Sequence, residues 1–214
     1  MELHFIRHTQ PEIERNTCYG QADISLSTSF PEEAEEILST LKRLNIDDSY
    51  SKIISSPSQR CQRLAEKVLT MQSQQNGHHI NQKAQPCIAT AIELNPDFME
   101  VNFGDWELKH WREIPREQSE YWTDNFITAR LPNGESLLDL QHRVLQAFDK
   151  LLNMHGDYEP CKIAIITHAG VMRIIAAKVL NIALEDIFNL KINFGQIIKV
   201  TIQQGNQPIL SFHL

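Results

Sequence analysis

KIAIITHAG, residues 162–170, decides how the rest of the chain is read. After Lys162 come Ile163, Ala164, Ile165 and Ile166 without a polar interruption. A strand with one wet face alternates apolar and polar residues. An unbroken run fits a central parallel strand covered on both faces. The run ends at Thr167-His168, and Ala169-Gly170 then opens a segment, Val171 to Leu180, with helical composition. A buried strand running straight into a helix is half of a βαβ unit, so neighbouring strands should be parallel and joined through helices.

Working outward, "LHFI" (3–6) is a second buried strand and "SKIISS" (51–56) a third. Between them Ala34, Ile37, Leu38, Leu41 and Leu44 recur at spacings of three and four, as on an amphipathic helix. Pro31 followed by Glu32 and Glu33 suits its first turn. Leu64, Val68 and Met71 predict a helix after Pro57, and 72–79 reads as a polar loop. "CIATAIEL" (87–94) predicts a further strand. Leu137, Leu140, Val144, Phe148 and Leu151 trace another helical stripe. "NLKINF" (189–194), "QIIKVTI" (196–202) and "PILSFHL" (208–214) supply two or three closing strands. No repeat and no Gly-, Pro- or Ser-rich linker divides the chain. The expectation is one α/β domain over 1–214, with a mostly parallel sheet flanked by helices on both faces. The charged, aromatic segment 109–130, with Trp111, Tyr121, Trp122 and Phe126, reads as a helical insertion or lid over the carboxyl-end rim.

The 214 residues suffice for a self-sufficient core, and 42% apolar with 22% charged is ordinary globular composition. A formal charge of −7 argues against nucleic acid or an anionic membrane as main partner, while leaving room for a local basic pocket. Cys18, Cys61, Cys87 and Cys161 form no C-x-x-C pair, which predicts neither zinc nor a disulfide framework. Arg7 arrives before any apolar run reaches signal-peptide length, so a cytoplasmic protein is expected.

In open α/β sheets ligands bind at the carboxyl ends of the strands. The first strand ends in Arg7-His8, the second leads through "SSPSQR" to Arg60, and the central one ends at His168. Two imidazoles and two guanidiniums on one rim suit a phosphate, which a guanidinium grips as a planar fork. The Ala169 N–H, at a helix start, is a further donor. An imidazole can take the phosphoryl group, and nearby cations keep it neutral for attack. A proton donor for the leaving oxygen could be Glu100, Asp105, Glu107 or Glu135, and pattern alone leaves that choice open.

"FIRHT", "SSPSQR", "MEVNFGDWE", "NGESLLDLQHRV" and "IITHAGVMR" follow one another in that order. Together they resemble the histidine phosphatase superfamily in its phosphoglycerate-mutase-like branch. That resemblance implies His8 as the nucleophile that becomes phosphohistidine. It implies Arg7, Arg60 and His168 as the phosphate pocket and Glu100 as the acid/base carboxylate. Glu135 and Arg143 would brace the fold rather than react, and Asp105 and Glu107 would be turn residues or supports behind the reacting groups. No cofactor and no metal is implied, and the partner is a small phosphomonoester. "CYGQADISLSTSFPEEA" and "NFGDWE" further resemble phosphatases of alpha-ribazole 5'-phosphate, which implies Tyr19 and Gly20 as substrate-facing residues. Thr9 and Gln10 depart from the glycine and glutamate common in the family. The alternatives are a phosphoglycerate mutase, a broad sugar or nucleotide phosphatase, a non-catalytic phospho-ligand binder, and a metallohydrolase. The last lacks an H-x-H or H-x-x-x-H spacing with a carboxylate.

Overall fold

The computed structural model describes residues 1–44, 49–76, 88–153, 162–203 and 208–213. Six strands form one mixed sheet: β1 (Glu2–Arg7), β2 (Lys52–Ser55), β3 (Ile92–Leu94), β4 (Lys162–Thr167), β5 (Ile197–Thr201) and β6 (Ile209–His213). Their spatial order is β3-β2-β4-β1-β5-β6. The first four named in that order pair in parallel, whereas β5 is antiparallel to β1 and β6 to β5. The α-helices are α1 (Phe30–Arg43), α2 (Gln59–Asn76), α3 (Arg116–Asp124), α4 (Leu137–Asn153) and α5 (Ala169–Leu180).

The 162–167 run is apolar because both faces of β4 are covered. Ile163 and Ile165 join a core with Leu3, Phe5, Leu140, Val144, Phe148, Ile174 and Ile175. Ala164 and Ile166 point the other way, into a core with Ile6, Ile53, Ile37, Leu41, Leu64 and Val68. Thus α4 and α5 cover one face and α1 and α2 the other. Each fully buried Leu, Ile or Phe contributes about 1.5–3 kcal/mol relative to exposure, which makes these stripes the main source of cohesion. The α1 start follows its sequence: Pro31 lies in the first turn, and the Ser29 hydroxyl donates to Glu33 at 2.6 Å.

Register sets the site. Arg7 of β1 lies beside Thr167 of β4, and the His8 N–H donates to the Thr167 carbonyl at 3.0 Å. On the other side of β4 the Ser56 N–H donates to the Ile166 carbonyl at 2.9 Å. The residues following three strands therefore meet at one edge.

Several expectations change. Residues 189–194 are not a strand. Leu184–Asn189 is a 3-10 helix, and the chain then turns at 193–196, where the Asn193 N–H donates to Gln196 Oε1 at 2.7 Å and Gly195 adopts φ +70°. Those backbone groups are committed to the turn rather than to a ladder. The 87–94 strand is real only over Ile92–Leu94, and its Cys87 lies outside the described residues. The 72–79 loop is helical to Asn76, and His78 and His79 are likewise outside the described residues. The last α-helix before the closing strands begins at Ala169, two residues ahead of Val171. Segment 109–130 holds a 3-10 turn at Trp111–Glu113 and then α3. No helix of the described residues is long and apolar enough to cross a membrane.

Candidate active site

At the carboxyl edge of the sheet lies a cavity of about 290 Å³. Its polar end is lined by Arg7, His8, Arg60, Glu100, His168 and Ala169, and its other end by aromatic and aliphatic side chains. The volume stands near the lower edge of the range for small-molecule sites, about 300–1,000 Å³.

His8 is fully buried. Its Nδ1 lies 2.6 Å from the Thr9 carbonyl, which fixes the proton on Nδ1 and leaves the Nε2 lone pair facing the cavity. Burial, then the Arg60 and Arg7 charges, hold this imidazole well below the ordinary histidine range, so it is neutral at neutral pH. The His168 ring stands 5.1 Å away, centroid to centroid. Its Nε2 is 2.8 Å from Ser56 Oγ, and burial followed by His8 and the arginines depresses its basicity too.

Arg60 is fully buried between the rings. Its Nε is 3.3 Å from His8 Nε2 and its Nη2 3.4 Å from His168 Nδ1. Both contacts are longer than a good N–H bond, about 2.7–3.2 Å, so they yield readily to an oxyanion. Nη1 and Nη2 are anchored on the Ala22 and Gly20 carbonyls. Arg7 donates to the Ile192 carbonyl at 2.6 Å and has its guanidinium 3.8 Å from the Phe194 ring centre. Burial lowers the Arg7 pKa from its usual value, but a guanidinium stays charged.

Glu100 enters from the segment after β3. One carboxylate oxygen accepts the Val101 N–H at 3.1 Å and the other the Gly170 N–H at 3.0 Å, in the first turn of α5. A Cβ on residue 170 would collide with that carboxylate, so Gly170 is required for the approach. Asp105 accepts from the Asn133 amide in an exposed turn. Glu135 is held by Arg143 at 2.8 and 2.9 Å, while Arg143 also donates to the carbonyls of Asp97, Met99 and Glu100. That brace sets the height of Glu100 above α5.

Tyr19 lines the cavity, with its ring 5.6 Å from the Arg60 guanidinium, and burial raises its phenol pKa. Gly20 does not line it. It sits behind the wall, its N–H on Glu107 and its carbonyl on Arg60. Glu107 is a support behind the cavity wall, one of the two places the resemblance allowed it, and accepts the N–H groups of Gly20, Gln21, Ala22 and Phe103. The far wall is Phe103, Trp111, Trp122, Phe126 and Phe188, with Trp106 behind it. Trp111 and Trp122 stand 6.1 Å apart and each meets Phe103 within 6.5 Å. Sequence reasoning missed Ser56, Phe188, Phe194 and Arg173 as parts of the site. Arg173 alone had a signal, its place one helical turn after Gly170. Among the described residues no group of three His, Cys, Asp or Glu side chains is placed to hold a metal ion. Cys18 and Cys61 are free and buried.

Comparison with known proteins matches residues 3–213 to the histidine phosphatase superfamily (branch 1). Adenosylcobalamin/alpha-ribazole phosphatase of Escherichia coli (strain K12) is 24% identical over 199 residues, covering 91% of this chain and 87% of that protein. A probable phosphoglycerate mutase, GpmB, of Escherichia fergusonii is 26% identical over 188 residues, covering 85% and 76%. The crystal structure of the alpha-ribazole phosphatase from Shigella flexneri superposes with a TM-score of 0.75 at 24% identity, covering 95% of this chain and 92% of that one.

Proposed function

The chain belongs to branch 1 of the histidine phosphatase superfamily and is a phosphatase, and from that premise we propose that its reaction runs through a phosphorylated His8 without a metal ion. One observation carries this reading: two buried imidazoles 5.1 Å apart with a fully buried guanidinium reaching both.

The phosphate of the substrate lies between Arg7, Arg60, His168 and the Ala169 N–H at the start of α5, where two cations and a helix N-terminus offset a dianion. Arg60 Nη2 can only donate, so His168 Nδ1 accepts there and Nε2 carries the proton to Ser56 Oγ, which fixes the ring beside the phosphate. His8 Nε2 attacks phosphorus. The N–P bond forms, the bond to the alcohol oxygen breaks, and Glu100 gives that oxygen its proton. A water then attacks, the N–P bond breaks, and the Glu100 carboxylate takes the water's proton. His8 stays in place because Nδ1 is tied to Thr9, and the positive charge it gains on phosphorylation faces the bound anion.

For the alcohol, we favour an uncharged group with a flat aromatic part, alpha-ribazole 5'-phosphate being the leading case. The aromatic end of the cavity supports this, since flat rings pack well on Trp and Phe. A mutase must also hold a carboxylate and a second phosphate. Lys109, Arg112, Arg116 and Arg130 do not line the cavity, and two of them pair outward, Arg116 with Glu120 and Arg130 with Asp139. The test is phosphate release from a panel of phosphomonoesters with EDTA present, together with acid quenching to trap an acid-labile phosphoenzyme. The parent should form it and the His8→Ala variant should not. A His8→Ala protein that turns over an aryl phosphate at near-parent rate would remove His8 from this role.

A further inference from the structure

One cation in the cavity has no part in the chemistry above. Arg173 lies on α5 three residues after Gly170, whose N–H holds Glu100, and four after Ala169. Positions three and four apart share a helix face, so Arg173 looks into the same cavity about 6 Å further along the axis than Ala169. Its Nε donates to the Leu190 carbonyl at 3.0 Å, and its guanidinium stands 5.7 Å from the Phe188 ring centre. Phe188 in turn packs on Phe126 at 5.2 Å. Among the described residues Nη1 and Nη2 have no hydrogen-bond partner, and the side chain lines the cavity. A half-buried guanidinium with two idle donors, fixed by its third, is a built recognition element.

We propose that Arg173 is a specificity-determining residue that donates to a neutral hydroxyl oxygen of the alcohol, so that the site selects pentose 5'-phosphates carrying a flat base against the aromatic wall. This rests on the phosphatase reading of the same site. Three observations fix the class. Arg173 lines the cavity together with Glu100, which meets the leaving oxygen, so its donors lie on the alcohol side of the phosphate. Among the described residues the wall beyond Arg173, with Phe103, Trp111 and Trp122, offers rings and no second cation for a charged tail. The Glu100 charge acts on Arg173, and Glu100 becomes anionic as it gives up its proton, so a carboxylate on the alcohol would meet a like charge at the moment of bond breaking.

The experiment compares kcat/KM for adenosine 5'-monophosphate with that for its 2',3'-dideoxy analogue, which has the same base and phosphate and lacks only the hydroxyls. It uses the parent, Arg173→Gln and Arg173→Lys, with p-nitrophenyl phosphate and 3-phosphoglycerate alongside and a thermal melt for each protein. The parent should prefer the ribosyl substrate about tenfold or more, the selectivity of one charge-assisted hydrogen bond. Arg173→Gln should bring that ratio to within about twofold of unity, mostly through KM. Arg173→Lys, which keeps the charge and loses the fork, should fall between and carries the test if the glutamine variant melts early. A parent ratio near one overturns the proposal, and so does a ratio that survives both substitutions. A parent that hydrolyses p-nitrophenyl phosphate but neither nucleotide overturns it as well. So does a selective loss on 3-phosphoglycerate, which would make Arg173 a carboxylate binder. A parent inert toward every ester would instead strike the phosphatase reading itself.

Discussion

Replacing Glu107 by glutamine should loosen the loop that carries Tyr19 and, through it, Arg60. In the parent, Oε1 accepts the Gln21 and Phe103 N–H groups at 2.9 and 3.0 Å, and Oε2 accepts those of Gly20 and Ala22 at 2.9 and 3.2 Å. Glutamine keeps one oxygen and places an NH2 against the other pair of donors. Two charge-assisted bonds are lost, each worth about 1.5–3 kcal/mol. Glu107 is only half-buried, so water relieves part of the cost and about 2–4 kcal/mol is the expected loss. At about 2–4 °C per kcal/mol for a domain of this size, Tm should fall by roughly 4–16 °C. Activity should fall beyond what the melt explains, because the Gly20 and Ala22 carbonyls that anchor Arg60 lie on the same loop. The signature is a raised KM for every phosphomonoester alike, since the phosphate rather than the alcohol is misgripped. Differential scanning fluorimetry with steady-state kinetics on two unrelated esters reads both effects. A Glu107→Gln protein with parental Tm and parental KM would show that the four bonds do not couple the loop to the phosphate pocket.

Glu100→Gln should slow alkyl phosphates by about 10²–10⁴-fold while sparing p-nitrophenyl phosphate, whose leaving group needs no proton. Equal losses on both esters would assign the proton to another carboxylate. His4 gives a stability prediction. It is buried within β1 with Nδ1 2.8 Å from the Tyr50 hydroxyl, and burial, only partly countered by Glu2, lowers its pKa to about 4. Its 3.7 Å approach to Glu2 is therefore not an ion pair at neutral pH. The unfolded chain binds this proton more readily than the folded one. Stability is full above the unfolded pKa, near 6.5, and drains as pH falls toward 4. The loss is about 3 kcal/mol at roughly 1.4 kcal/mol per pH unit. Urea titrations between pH 7 and pH 4 should show that slope, shallower in His4→Phe. An unchanged slope in that variant would place the proton uptake elsewhere.

What the sequence disclosed and what it hid divide along a physical line. Residues whose placement follows from strand ends were legible: β1 and β4 are paired in register, so Arg7-His8 and Thr167-His168 had to meet once both runs were read as parallel neighbours. Apolar periodicity likewise located α1 and α4, because each covers one face of that sheet. Groups whose role depends on a backbone partner far along the chain left no such pattern. Nothing in the spacing of Glu107 announces that N–H groups eighty-odd residues earlier converge on it. Phe194 was hidden by a good strand composition. Its segment is held in a turn by Gln196 and Gly195, and that turn brings the ring onto Arg7 and beside His8. Arg173 is the intermediate case. Helical spacing from Gly170 puts it on the cavity face, but only the Leu190 carbonyl and the Phe188 ring show that its donors are held ready instead of spent on the protein. A pattern in the chain can therefore say where the phosphate goes, because strand ends are local and phosphate needs charge. The alcohol is read by side chains that long loops deliver, and its identity becomes visible only when those loops are in place.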